Sequence, residues 1–159
     1  MLPIVGKVCG LQGTYSHQML FYGKPSQYAI RALLYIARNP DEPSLAKNIA
    51  KEEKLPKHFL SKILKELVVA RILESRLGPG GGFWMKKKPA RVTLLQIVKI
   101  FEDIETPLKT CAIGWAKCSD EKPCSLHQEF KTVRECIRVY LEHTTLATLV
   151  TAEEEKLVH

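Results

Sequence analysis

Between residues 78 and 82 the chain reads Gly-Pro-Gly-Gly-Gly, which puts four of its nine glycines into one short run. No helix passes through such a segment, because glycine leaves the backbone unconstrained and proline removes a donor. It is a turn, and its flanks say of what kind. Ile72-Leu73-Glu74-Ser75-Arg76-Leu77 suits a strand, and Phe83-Trp84-Met85 begins a return strand, so the run closes a β-hairpin. Lys86, Lys87 and Lys88 follow directly. A phosphate-cradling nucleotide loop would continue as Gly-Lys-Ser/Thr into a helix, and this one does neither.

The segment before the hairpin reads as three helices. Over 25–38, Pro25 suits a first helical position, Ile30, Leu33, Leu34 and Ala37 share an apolar face, and Asn39-Pro40 ends the run. Over 44–52, Ser44 is the expected N-cap, with Leu45, Ile49 and the alanines 46 and 50 facing inward. After a break at Lys54-Leu55-Pro56, residues 56–69 carry a buried stripe of Phe59, Leu60, Ile63, Leu64 and Leu67. The other face carries Lys57, His58, Ser61, Lys62 and Lys65. Two helices joined by a tight turn, the second amphipathic and basic, then a hairpin: the expected fold is mainly α, a winged helix-turn-helix with a two-stranded β wing. A bare glycine tip lets backbone approach a sugar–phosphate chain. Direct base reading is assigned to Lys57, His58, Ser61 and Lys62, and phosphate contact to Ser44, Arg76, Gly80, Lys86, Lys87 and Lys88. Charge agrees: residues 19–91 hold 15 Lys and Arg against 6 Asp and Glu, a net of +9, whereas 92–159 hold 8 against 11, a net of −3. A basic half of this kind fits a polyanionic partner.

Downstream, Thr93 opens another helix with Gln96 completing a capping box. Leu94, Ile97, Val98, Phe101 and Ile104 form its expected buried face, and Pro107 falls just past its end. Then Cys111, Cys118, Cys124 and His127 occupy seventeen residues, spaced Cys-x6-Cys-x5-Cys-x2-His. Three thiols in a polar loop serve no core, but four soft or borderline donors so close together can surround one metal centre. Leu126, Phe130, Val133, Ile137 and Tyr140 recur at alternating spacings of four and three, a two-helix seam that favours a homodimer. Cys136 sits beside Ile137 and is expected to pack.

The resulting organisation is an extension over 1–18, a winged domain over 19–91, a linking helix and cysteine loop over 92–124, a long dimerisation helix over 125–150 and a tail over 151–159. The extension shows no clear period and is expected to be disordered; its Cys9 lies far from the other thiols and is not expected to be a ligand. No secretory pattern and no apolar run of about 18 residues is present, so a cytoplasmic location with reduced thiols is expected, and no membrane partner. No nucleophile–base set or paired carboxylate motif stands out, which argues against an enzyme and a small-molecule substrate.

From Met19 to about Val150 the chain resembles the Rrf2 family of bacterial transcription regulators, above all its cluster-assembly regulators. The resemblance is carried by Tyr28-Ala29-Ile30-Arg31-Ala32-Leu33, Phe59-Leu60-Ser61-Lys62-Ile63-Leu64, the Gly78–Phe83 wing, Thr93-Leu94, the four metal-ligand candidates and Thr145-Leu146-Ala147-Thr148-Leu149-Val150. It implies a homodimer on a pseudo-palindromic operator, with an iron–sulfur cluster held by Cys111, Cys118, Cys124 and His127. The resemblance thus implies a transcription regulator that senses iron–sulfur, redox or nitric oxide status. A 2Fe–2S cluster is favoured and a 4Fe–4S cluster on the three cysteines is an alternative. Two positions depart from the family pattern: the first inter-cysteine gap is six residues rather than five, and Leu77 stands before the Gly-Pro turn where arginine is usual. On donor chemistry alone a zinc-stapled nucleic-acid-binding module competes, since Cys3His is a closed zinc set. A small iron–sulfur electron-transfer protein is the third alternative.

Overall fold

The computed structural model describes residues 22–157. The expectations for residues 1–18, Cys9 included, lie outside them. Along the chain come α1 (Lys24–Arg38), α2 (Ala46–Glu52), α3 (Lys57–Val69), β1 (Leu73–Arg76), β2 (Gly82–Met85), a 3-10 turn over Pro89–Arg91, α4 (Leu94–Phe101), α5 (Glu105–Lys109), α6 (His127–His143) and α7 (Leu146–Leu157). The expected fold class is the observed one: a winged helix-turn-helix with further helices beside it. None of the helices among the described residues is long and apolar enough to cross a membrane.

The core lies where α1, α3, α4 and α7 meet. Helix α1 buries Ala29, Ala32, Leu33, Leu34 and Ile36, a face rotated from the expected one, and Ile30 and Ala37 are only half-buried. Its N-terminus is capped from a distance. The Glu102 carboxylate, just past α4, accepts the Gly23 N–H at 2.7 and 2.9 Å and the hydroxyl of the buried Ser26. A negative charge there meets the positive end of the helix dipole. Helix α3 buries Leu60, Ile63, Leu64 and Leu67 as its period requires, each such side chain contributing about 1.5–3 kcal/mol by leaving water. Phe59 is corrected: it is 36% exposed and presents a ring edge to Tyr28 at 5.8 Å between centroids.

Helix α2 begins later than expected. Its N-cap is Leu45, which is exposed rather than inward-facing, and Ser44 is not a cap. Ser44 instead exchanges backbone hydrogen bonds with Phe83, at 2.8 Å from its N–H and 2.9 Å to its carbonyl, which pins the wing to the segment before α2. The α2–α3 turn is also tied down. Arg31 bonds the Glu53 carbonyl and carboxylate, Arg38 bonds the same carboxylate at 3.1 Å, and Arg38 reaches Glu153 of α7 at 2.8 Å.

The hairpin pairs Leu73 with Met85, Glu74 with Trp84, Ser75 with Phe83 and Arg76 with Gly82. The Gly81 N–H donates to the Gly78 carbonyl at 3.0 Å, with Pro79 and Gly80 (φ +71°) between them, a type II turn. Thr93 caps α4 as the sequence predicts, its hydroxyl oxygen accepting the Gln96 N–H at 3.3 Å. Helix α4 ends at Phe101, so Ile104 is buried beyond it and Pro107 lies inside the short α5. The expected single helix over 125–150 is two. Helix α6 stops at His143, and α7 turns back against α1 and runs through most of the expected tail. The Thr144 carbonyl accepts the Leu94 N–H at 2.9 Å and the Val92 carbonyl accepts the Leu146 N–H at 2.8 Å, which clips the α6–α7 junction to the start of α4. Cys136 is exposed on α6 rather than packed.

Candidate functional site

The loop between α5 and α6 gathers the sulfurs. The Cys111, Cys118 and Cys124 Sγ atoms all lie within 4.8 Å of one another, with Cys111 and Cys124 at 3.7 Å. His127 opens α6 and places Nδ1 3.1 Å from Cys118 Sγ. The three predicted sulfurs therefore converge, and the fourth predicted donor, His127, reaches one of them. Local backbone bonds shape the loop: the Gly114 N–H reaches the Cys111 carbonyl at 3.0 Å, with Gly114 at φ +76°, and the His127 N–H reaches the Cys124 carbonyl at 3.1 Å. Only glycine adopts that φ without strain. Cys124 is buried just before the α6 N-terminus.

The thiols are unequal. The N–H groups of Ile113 and Trp115 hold Cys111 down to about 7, against the opposing pull of burial. The Cys124 N–H lowers Cys118, but burial and the neighbouring Cys111 and Cys124 thiols outweigh it and push that thiol up. Metal ligation needs thiolates, so Cys111 is closer to readiness at neutral pH than Cys118. Sequence reasoning missed Asp120. Its Oδ1 lies 3.0 Å from His127 Nε2 and 2.7 Å from Lys131 Nζ on α6. Lys131 and then His127 hold its carboxyl below the usual range. A carboxylate on the far nitrogen of a ligand histidine fixes the ring and its tautomer. The signal was the first of two adjacent acids, seven residues before a histidine, within an irregular loop. Three soft sulfurs and one imidazole in a polar, partly open loop fit an iron–sulfur cluster, and equally a zinc ion.

The other predicted residues lie on α3, on the wing and its flanks, and along α6. Lys57, His58 and Lys62 are exposed along α3, and Ser61 turns its hydroxyl back to the Lys57 carbonyl at 3.0 Å. Ser44 is buried at 6% exposure, which leaves it a role in anchoring the wing rather than surface for a phosphate. Gly80 sits at the bare tip, Arg76 donates to its carbonyl at 3.2 Å, and Lys86 pairs with Glu74 at 2.7 Å. Lys86, Lys87 and Lys88 share a shallow groove with Arg91, a fourth cation that the lysine run hid from the sequence reading. On α6, Leu126, Val133 and Tyr140 are 45–48% exposed, and Phe130 and Ile137 are half-buried.

The model of the Rrf2 family, described as an iron-dependent transcriptional regulator, matches residues 22–152. The chain belongs to the Rrf2 family. Among its relatives, an HTH-type transcriptional regulator of Aquifex aeolicus is 31% identical over 140 residues, covering 87% of this chain and 96% of that one. Two solved Rrf2-like structures share the fold. CymR, the global cysteine regulator of B. subtilis, has a TM-score of 0.69 at 23% identity, covering 84% of this chain and 98% of CymR. IscR of T. potens has a TM-score of 0.67 at 22% identity, covering 87% and 91%. As an Rrf2 protein, the chain is a transcriptional regulator with a DNA-binding fold.

Proposed function

We propose that this Rrf2 protein is an iron–sulfur-dependent transcription regulator that binds a pseudo-palindromic operator as a homodimer. The observation that carries this reading is the convergence of Cys111, Cys118 and Cys124 before α6, with His127 against Cys118. The family's description as iron-dependent supports iron over zinc. When bound, a cluster with one neutral ligand in place of a thiolate carries less negative charge and has a higher reduction potential. A 2Fe–2S cluster is the favoured form. Iron–sulfur supply, oxidants and nitric oxide are the candidate signals, and the name of CymR adds sulfur supply to them.

On the DNA side, Lys57, His58, Ser61 and Lys62 of α3 read base edges, while Arg76, the Gly80 backbone, Lys86, Lys87, Lys88 and Arg91 hold phosphates. The exposed α6 seam of Leu126, Phe130, Val133, Ile137 and Tyr140 pairs with a second copy, which places two recognition helices on successive half-sites. The four donors order the loop between α5 and α6, and the clip from Thr144 and Leu146 to Val92 and Leu94 passes a shift of α6 to the base of the wing. A signal acts through this route only if the loop's two states differ in operator affinity.

The test is anaerobic purification followed by visible absorbance, iron and sulfide analysis, and operator affinity with intact cluster, without it, and for Cys111→Ala. A coloured protein whose affinity changes on cluster loss is expected. Colourless protein with stoichiometric zinc and no sulfide would sink the cluster, and equal affinities at equal salt would sink the coupling.

A further inference from the structure

The DNA-binding reading leaves Leu77 unexplained. Leu77 is 98% exposed at the end of the wing, directly after the last paired residue, Arg76. Scattered exposed leucines are ordinary on protein surfaces. This one differs in how it is presented. The turn beyond it is closed by the Gly81–Gly78 hydrogen bond at 3.0 Å, and a side chain added at Gly81 would collide with the Arg76 carbonyl. The hairpin behind it is pinned to Ser44. The tip is therefore a fixed projection rather than a loose loop.

The cations around Leu77 are all drawn back. The Arg76 guanidinium folds over the turn onto the Gly80 carbonyl at 3.2 Å, and Lys86 is paired with Glu74 at 2.7 Å. A Cβ built on Gly78 meets nothing within 4 Å, so the space beside the residue that follows Leu77 is open. A nearly fully exposed apolar side chain, unbranched at Cβ, thus stands beside the turn of a basic hairpin. DNA offers a counterpart in the minor groove, where deoxyribose walls are apolar and leucine wedges unstack base steps. Flexible pyrimidine–purine steps open at least cost.

We propose that Leu77 is an apolar wedge that enters the minor groove beside the α3 contacts and opens a base step, so that this chain selects operators at that point by deformability. The proposal rests on the DNA-binding reading above. It is tested with the full-length protein on duplexes selected by the wild type from a random pool, with end-labelled DNA reporting the bend. Leu77→Ala is expected to lose about tenfold in affinity for the selected duplexes, the loss from withdrawing one buried apolar side chain. It also loses part of the bend and the preference for a pyrimidine–purine step under the wing, while binding to random duplexes and its salt dependence stay as in wild type. Leu77→Met, which keeps the apolar bulk, retains the bend. Equal affinity and bend for wild type and Leu77→Ala would overturn the wedge, and so would a Leu77→Met protein as impaired as Leu77→Ala. Wild-type protein that selects no duplex at all would instead remove the DNA-binding reading itself.

Discussion

In the proposed metal site, Asp120 supports the donors from outside their set. By holding His127 Nε2 at 3.0 Å it leaves Nδ1 to face the sulfurs. Asp120→Ala should weaken metal retention about 10- to 100-fold, measured as release of bound metal to a chelator, with Asp120→Asn intermediate. Retention equal to wild type would show that His127 needs no orienting partner. The donors themselves were legible in the sequence, because thiols in a polar loop have no other common purpose. Asp120 was not, because a contact made across an irregular loop leaves no periodic trace. A second residue-scale effect concerns Tyr22. Burial, with help from Tyr140 and Glu102, raises its phenol from 10.0 to about 12. The folded state thus favours the neutral phenol. Its contribution to stability is complete below about pH 10 and is lost as the pH rises toward 12. Spectroscopic titration should find one late tyrosine, absent in Tyr22→Phe.

At the level of elements, the wing depends on a carbon atom that is not there. Gly81→Ala puts a methyl group against the Arg76 carbonyl, in a turn that cannot widen without breaking the Gly81–Gly78 bond. Operator affinity should fall steeply while the helical circular dichroism signal stays near wild type, since the helices bury their own core; an unaltered affinity would place the wing away from DNA. The hairpin, the basic helix and the Thr93 cap were all readable from local chemistry. The errors fell where distant segments decide. Ser44 looks like a cap until Phe83 claims its backbone, Phe59 looks buried until Tyr28 takes its ring edge, and Pro107 looks like a terminator until α5 starts around it. The break at Thr144 is of the same kind, because only the clip to α4 shows that Thr144-Thr145 leaves the helix.

At the scale of the whole molecule, α6 is the element without enough partners. Of its seventeen residues only Leu141 is buried, so little of the helix is covered within the chain and its N-terminal half is held by polar contacts. In the proposed dimer Val133, 47% exposed, lies mid-seam. Val133→Glu should produce monomers in sedimentation without loss of helix content, and operator affinity should drop by at least the contribution of one half-site. A dimer that survives this change would move the interface elsewhere. Lys87→Ala tests the basic groove from the other side: the salt dependence of binding should flatten by about one unit. The two backbone hydrogen bonds between Ser44 and Phe83 have a consequence for the choice of target sequence. They weld the hairpin and the helix-turn-helix into a single jaw, so the distance between the bases gripped by one and the step probed by the other is fixed in advance. Half-sites that insert or delete a base pair between those two points should be rejected even when every contacted base is correct.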